Sequence, residues 1–196
     1  QAWLNIPSAG WDGTRCLPKT MRCKDITSKQ MCADYSGICA GWGGDSCLEV
    51  GAPTNQITDE NVCSDSQQLL GIPSIGWGGH SCLSADSTCF DISDKRICEN
   101  SREVLGMRCA GWGGHSCLMR GSPLNAIRDP EVCKHSLLIV GTASSGWGGS
   151  HCLSAEEGCL SITNKRICKN AEALVGFSCG SWSDRLGCLD HHYLHH

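Results

Sequence analysis

One short phrase ending in Cys-Leu occurs six times, and its spacing leaves few folds open to the chain. The copies read Gly10-Trp11-Asp12-Gly13-Thr14-Arg15-Cys16-Leu17, GWGGDSCL at 41–48, GWGGHSCL at 76–83 and again at 111–118, GWGGSHCL at 146–153, and a looser Ser181-Trp182 through Cys188-Leu189. The tryptophans at 11, 42, 77, 112, 147 and 182 are separated by 31, 35, 35, 35 and 35 residues. A fixed period in this range marks tandem supersecondary units, each too small to bury its apolar face without a neighbour.

Cysteine supplies what ordinary apolar side chains do not. The chain has 196 residues with 17 Cys and 24 Gly, but only 2 Phe and 2 Tyr, and its 40% hydrophobic fraction includes the cysteines. At roughly 9% Cys the composition is that of a disulfide scaffold rather than of one conventional core. Zinc is the competing reading, but structural zinc sites bring two ligands together as C-x2-C. No CxC or CxxC occurs here, so disulfides and an oxidising compartment are expected, with no metal and no cofactor. A net charge of −4 without a basic stripe argues against nucleic acid, and no apolar run has the length of a membrane span. Gln1 is read as the first residue of a processed, secreted chain.

Each unit is expected to carry one short helix. Thr163-Asn164-Lys165-Arg166-Ile167-Cys168 leads to Val175 and Gly176, and Ser93-Asp94-Lys95-Arg96-Ile97-Cys98 leads to Leu105 and Gly106. Thr58-Asp59-Glu60-Asn61-Val62-Cys63 runs on to Gly71, and Asp129-Pro130-Glu131-Val132-Cys133 to Gly141. A Ser, Thr or Asp cap, acid or proline in the first turn, and glycine after the last turn are helix boundaries. Stop glycines at 37, 71, 106, 141 and 176 keep the rhythm, and the first helix, around Ser28 to Ser36, is the short one. The Trp-Gly-Gly phrase itself reads as a tight turn or small hairpin. A phosphate loop would need a helix N-terminus and a lysine after it, and Cys-Leu follows instead.

Two kinds of unit alternate. Helix cysteines stand at 32, 63, 98, 133 and 168, while Cys23 with Cys39, Cys89 with Cys109, and Cys159 with Cys179 occur only in every second unit. The expected fold is therefore small and disulfide-rich: a tandem-repeat rod of ~35-residue units, each a short α-helix plus a Trp-Gly-Gly turn or hairpin, paired into ~70-residue couplets. The expected divisions are 1–48, 49–118, 119–189 and a His-rich tail at 190–196. Polar stretches at Glu49 to Gln56 and Met119 to Asn125 look like unit boundaries. That phase gives Cys32–Cys47, Cys63–Cys82, Cys98–Cys117, Cys133–Cys152 and Cys168–Cys188 beside the three extra pairs, and leaves Cys16 unpaired or intermolecular. The opposite phase would leave Cys188 alone. Leu4-Asn5-Ile6-Pro7-Ser8-Ala9-Gly10-Trp11 parallels Leu70 to Trp77, so the chain is read as starting inside a repeat, with head-to-tail association through incomplete end units.

The arrangement Cys23-x8-Cys32-x6-Cys39-x2-Trp42-x4-Cys47, with copies at 89–117 and 159–188, resembles the cysteine-periodic repeats of ciliate surface (immobilisation) antigens. Threonine is sparser here and the Gly-Gly pair more regular than in that pattern. The resemblance implies an extracellular coat or fibrous surface protein without catalysis.

No catalytic set is expected. His80, His115 and His151 sit beside serines, but a Ser-His pair also needs an orienting carboxylate and an oxyanion donor, and the equivalent positions are Thr14 and Asp45. The terminal His191-His192-Tyr193-Leu194-His195-His196 reads as a tail rather than a metal site. Trp11, Trp42, Trp77, Trp112, Trp147 and Trp182 are expected to pack over disulfide and helix, with glycan stacking as the functional alternative. The expected role is an extracellular or cell-surface structural protein, a homopolymer without membrane insertion. The alternative is a multivalent carbohydrate-binding lectin, and a multi-headed protease inhibitor ranks below both.

Overall fold

The computed structural model describes residues 8–11 and 16–191, which divide between Ser87 and Thr88 into two compact units. The segments at 1–7, 12–15 and 192–196 lie outside the described residues, and with them Leu4 to Pro7, Thr14 and most of the His-rich tail. One local pattern recurs in both units and is called a module here, numbered by its motif tryptophan.

A module opens on a single 3-10 turn: Cys23–Asp25, Thr54–Gln56, Cys89–Asp91, Leu124–Ala126 or Cys159–Ser161. An isoleucine follows each turn in extended backbone. Ile26, Ile57, Ile92, Ile127 and Ile162 are at most 1% exposed, among the best-buried side chains of their modules. Their backbone has a second duty, because the N–H of the hairpin cysteine donates to the isoleucine carbonyl. Cys47 bonds Ile26 in this way at 2.9 Å, Cys82 bonds Ile57 at 3.0 Å, and Cys117 and Cys152 bond Ile92 and Ile127 at 3.1 Å. An apolar anchor and the hairpin's outer edge are thus fixed by one residue.

The helix comes next: Lys29–Asp34, Glu60–Ser64, Lys95–Glu99, Pro130–Lys134 or Lys165–Lys169. Its cap is the second residue of the expected pair, Asp59 rather than Thr58, Asp94 rather than Ser93, and Asn164 rather than Thr163; Ser28 caps the first helix. The single expected helix is, in the four later modules, two short segments. The second segments are Ser66–Leu70, Ser101–Leu105, Ser136–Ile139 and Ala171–Val175. The break falls at Asp65, Asn100, His135 or Asn170, near φ −110° and ψ +20°. At two of them the side-chain amide donates back to the carbonyl four residues earlier, Asn100 to Arg96 and Asn170 to Arg166, both at 2.8 Å. That bond closes the first segment and turns the chain so that Ser101 and Ala171 become buried. Module 2, with its shorter 31-residue interval, keeps the first segment only. Gly71, Gly106, Gly141 and Gly176 adopt left-handed φ of 66° to 87° after the second segment, whereas Gly37 does not. Its helix has already ended at Asp34.

Two-stranded antiparallel hairpins close the modules. Gly41–Trp42 pairs with Cys47–Leu48, Gly76–Trp77 with Cys82–Leu83, Gly111–Trp112 with Cys117–Leu118, and Gly146–Trp147 with Cys152–Leu153. Ser8–Trp11 with Cys16–Pro18, and Trp182–Ser183 with Gly187–Cys188, are the outlying versions.

The leucine after the hairpin cysteine joins one module to the next. Leu48 lies in one apolar cluster with Ile57, Cys63, Leu70, Ile72 and Cys82. Leu118 does the same with Ile127, Cys133, Val140 and Cys152, and Leu153 with Ile162, Cys168, Val175 and Cys188. Each such side chain, removed from water, contributes about 2–3 kcal/mol. The segments expected as polar boundaries are folded parts of these modules: Ala52, Thr54, Ser122 and Leu124 are buried there. Eight disulfides cross-link the described residues, each closing a loop within its own module. No helix among those residues is long and apolar enough to cross a membrane. The disulfides fit a secreted or extracellular protein.

Candidate functional site

The structure brings together the five cysteine pairs expected from the linker phase and the three expected in alternate units. They are Cys23–Cys39, Cys32–Cys47, Cys63–Cys82, Cys89–Cys109, Cys98–Cys117, Cys133–Cys152, Cys159–Cys179 and Cys168–Cys188, with Cα separations of 5.4–5.7 Å. Cys16 is exposed and outside these bonds. The sulfurs of Cys159, Cys179 and Cys188 lie within 4.8 Å of one another, but each is held in a disulfide and has no thiolate to offer a metal ion.

The two glycines of the Trp-Gly-Gly phrase serve different ends. A Cβ on the first would sit 2.7–2.8 Å from the motif's own leucine, Leu48 at Gly43, Leu118 at Gly113 and Leu153 at Gly148. The second has φ of 97° to 125° at Gly44, Gly114 and Gly149, and there the backbone of the following module approaches. A Cβ at Gly44 would meet Asp59 N at 2.8 Å, one at Gly114 the Arg128 carbonyl carbon at 2.8 Å, and one at Gly149 Asn164 Cβ at 2.8 Å. The approach is held by a hydrogen bond from the following module to the first glycine's carbonyl. Thr58 N–H donates to Gly43 at 2.7 Å, Arg128 N–H to Gly113 at 2.6 Å, and Thr163 N–H to Gly148 at 2.8 Å. The Gly-Gly face is therefore a seat for the next module, a role beyond the turn expected from sequence. At the first seat the Thr58 hydroxyl is buried without a hydrogen-bond partner.

The tryptophans fall into two groups. Trp42, Trp77, Trp147 and Trp182 are half-buried against the core clusters of their modules, and Trp112 is half-buried as well. Trp11 is 59% exposed. Beside Trp147 opens a groove of about 530 Å³, lined also by Gly146, Ile167, Glu131, Lys134, Arg166 and Leu174. It combines aromatic, aliphatic and charged side chains, so a ligand with both apolar faces and hydroxyls fits its chemistry.

Three of the motif histidines differ in surroundings. His80 and His115 are exposed, whereas His151 is half-buried between two partners. Its Nδ1 lies 3.1 Å from Ser150 Oγ, and its Nε2 lies 2.8 Å from Glu157 Oε1. The orienting carboxylate that sequence did not supply is thus Glu157, in the turn after the hairpin. The other Glu157 oxygen accepts the Ser154 N–H at 2.7 Å. Burial alone would raise this carboxyl, but its bonds to His151 and Ser154 and the His151 charge outweigh that and hold it below its ordinary value. The three side chains act as a clamp that ties the fifth hairpin to the turn following it. Ser87 and Ser122 occupy the position of Glu157 in the preceding modules, where each accepts a backbone N–H at 2.9 Å. His191 places Nε2 3.1 Å from Ser178 Oγ.

No protein-family model, curated protein or solved structure matches the chain.

Proposed function

We propose that this chain is a structural protein of an extracellular filament, sheath or cell-surface coat. Its modules are strung as a rod and paired in couplets of roughly 70 residues. The observation that supports this reading most is the handing of one leucine to the next module's cross-linked core. Neighbouring modules then resist separation, while each disulfide keeps its own module closed. The resemblance to ciliate surface antigens points the same way. The partner is the chain itself, with exposed Cys16 available for an intermolecular disulfide. Electron microscopy and small-angle scattering of the oxidised protein test the reading. Elongated particles that assemble as concentration rises are expected; compact monomers at millimolar concentration overturn it.

A second reading, multivalent glycan binding, is favoured by the open groove at Trp147. Titration with oligosaccharides separates the two. Saturable quenching of tryptophan fluorescence that is lost in Trp147→Ala supports the lectin, and its absence supports the scaffold.

A further inference from the structure

The geometry points to residues 182–191 as a cap that closes the stack of modules. A further module of this kind, from this chain or from a second copy, finds no seat on the last hairpin. The inference goes beyond the structural role proposed above and does not depend on it.

The seat is defined three times over by the Gly-Gly faces at 43–44, 113–114 and 148–149. Each accepts a backbone N–H from the following module, and any Cβ on the second glycine would press to 2.8–3.0 Å from that module's backbone. The last motif carries Ser183 and Asp184 at these places, with one more residue between tryptophan and cysteine. Its strands pair Trp182 with Cys188 and Ser183 with Gly187, leaving a three-residue loop ahead of Gly187 at φ 87°. A left-handed glycine after such a loop sets this hairpin apart from those at 41–48, 76–83, 111–118 and 146–153, and side chains hold it in shape. The Ser183 hydroxyl accepts the N–H groups of Arg185 at 3.3 Å and Leu186 at 3.2 Å. Asp184 accepts the Trp182 indole N–H at 2.8 Å and lies 3.4 Å from Lys165 Nζ.

Charge reinforces shape. The Asp184 side chain is 87% exposed, and its bonds to the Trp182 indole and to Lys165 lower its pKa. A module seated here would strip water from that carboxylate without offering it a new partner. The position before each hairpin tells the same story. Gly180 N–H donates to the Leu189 carbonyl at 2.8 Å, just as Ala40, Ala110 and Ser145 donate to Leu48, Leu118 and Leu153. Ala40 and Ala110 pack against the following module's apolar cluster, whereas at Gly180 that room is taken by the chain itself. A Cβ at Gly180 would lie 3.0 Å from the Asp190 carbonyl oxygen and 3.2 Å from His191 Cα, so the chain after the last cysteine covers the surface that a successor would need. Repeat stacks require such a polar end to stay soluble. Contacts between copies therefore run along the flanks of the modules rather than by extending the stack past Trp182.

The test moves the cap inward in the full chain. Residues 148–151 are replaced by the five residues 183–187, and a milder variant carries Gly149→Asp alone. Amide exchange at Thr163, whose N–H reaches Gly148, reads the seat, while exchange at Cys152, bonded to Ile127, reports the folding of module 5. With Cys152 protection kept, Thr163 protection is expected to fall about 100-fold in the first variant and about 10-fold in the second. Thr163 protection unchanged in Gly149→Asp overturns the inference, even where the larger exchange fails to fold. So does a native chain that associates with new protection confined to residues 182–189.

Discussion

Modules 4 and 5 have the same order of elements and different fastenings. Module 4 carries Cys89–Cys109 beside Cys98–Cys117; module 5 has only Cys133–Cys152. Where module 4 has Cys89 and Cys109, module 5 places Leu124 and Ser144. Leu124 is 5% exposed and fills the apolar volume. Ser144 replaces the covalent link with hydrogen bonds: its hydroxyl donates to the Cys133 carbonyl at 3.2 Å, and its N–H donates to Ser136 Oγ at 3.1 Å. Module 3 repeats the solution with Thr54, Ser66 and Ser74. The second disulfide is thus dispensable to the shape. The isoleucine, the helix-to-hairpin disulfide and the received leucine specify the module; the extra bond adds strength.

The largest effect should come from the bond the two modules share. The double change Cys133→Ala with Cys152→Ala removes the only disulfide of module 5 and should cost about 3–4 kcal/mol, read as loss of amide protection over 123–153 in urea. Cys89→Ala with Cys109→Ala should leave module 4 folded and lower only its denaturant midpoint. Equal collapse of both modules would break the comparison. Next, Ile127→Ala should cost about 2–4 kcal/mol, and Ile92→Ala as much. A much smaller loss at Ile92 would mean that the second disulfide, not the core, holds module 4. Ser144→Ala removes one donor from the Cys133 carbonyl and should cost about 1 kcal/mol by chemical denaturation. Thr58→Val removes a buried, unpartnered hydroxyl and should stabilise the seat at Gly43 by about 1 kcal/mol. Thr163 at the equivalent place reaches the Gly148 carbonyl with its hydroxyl at 3.5 Å, and Thr163→Val should gain nothing.

The smallest effect is in pH. Because the folded Glu157 carboxyl is held below its ordinary value, the clamp's contribution is complete above the unfolded pKa and is lost as pH falls through the folded one. Acid titration followed by NMR should loosen 150–157 before module 4 changes, by less than about 1 kcal/mol because the pair is partly solvated.

Much of this was legible in the cysteines and tryptophans, whose spacing is rigid enough to give period and pairing. The Ile26, Ile57, Ile92, Ile127 and Ile162 series keeps the same period, yet a single isoleucine between polar residues forms no helical or strand pattern to notice. The helix break was hidden because Asp65, Asn100, His135 and Asn170 are different residue types doing one job. Ala52 and Ser122 read as linker because small residues bury without an apolar signature. Glu157 joins His151 only once the turn after the hairpin has folded, so proximity in sequence gave no hint of the clamp.

Every disulfide spans only 15–20 residues of chain. As the polypeptide emerges, correct partners meet within tens of nanoseconds, long before cysteines from later modules exist to compete. Oxidation can then advance from the amino end like a zipper. Chain length becomes a matter of how many modules are duplicated, with no rewiring of those already laid down.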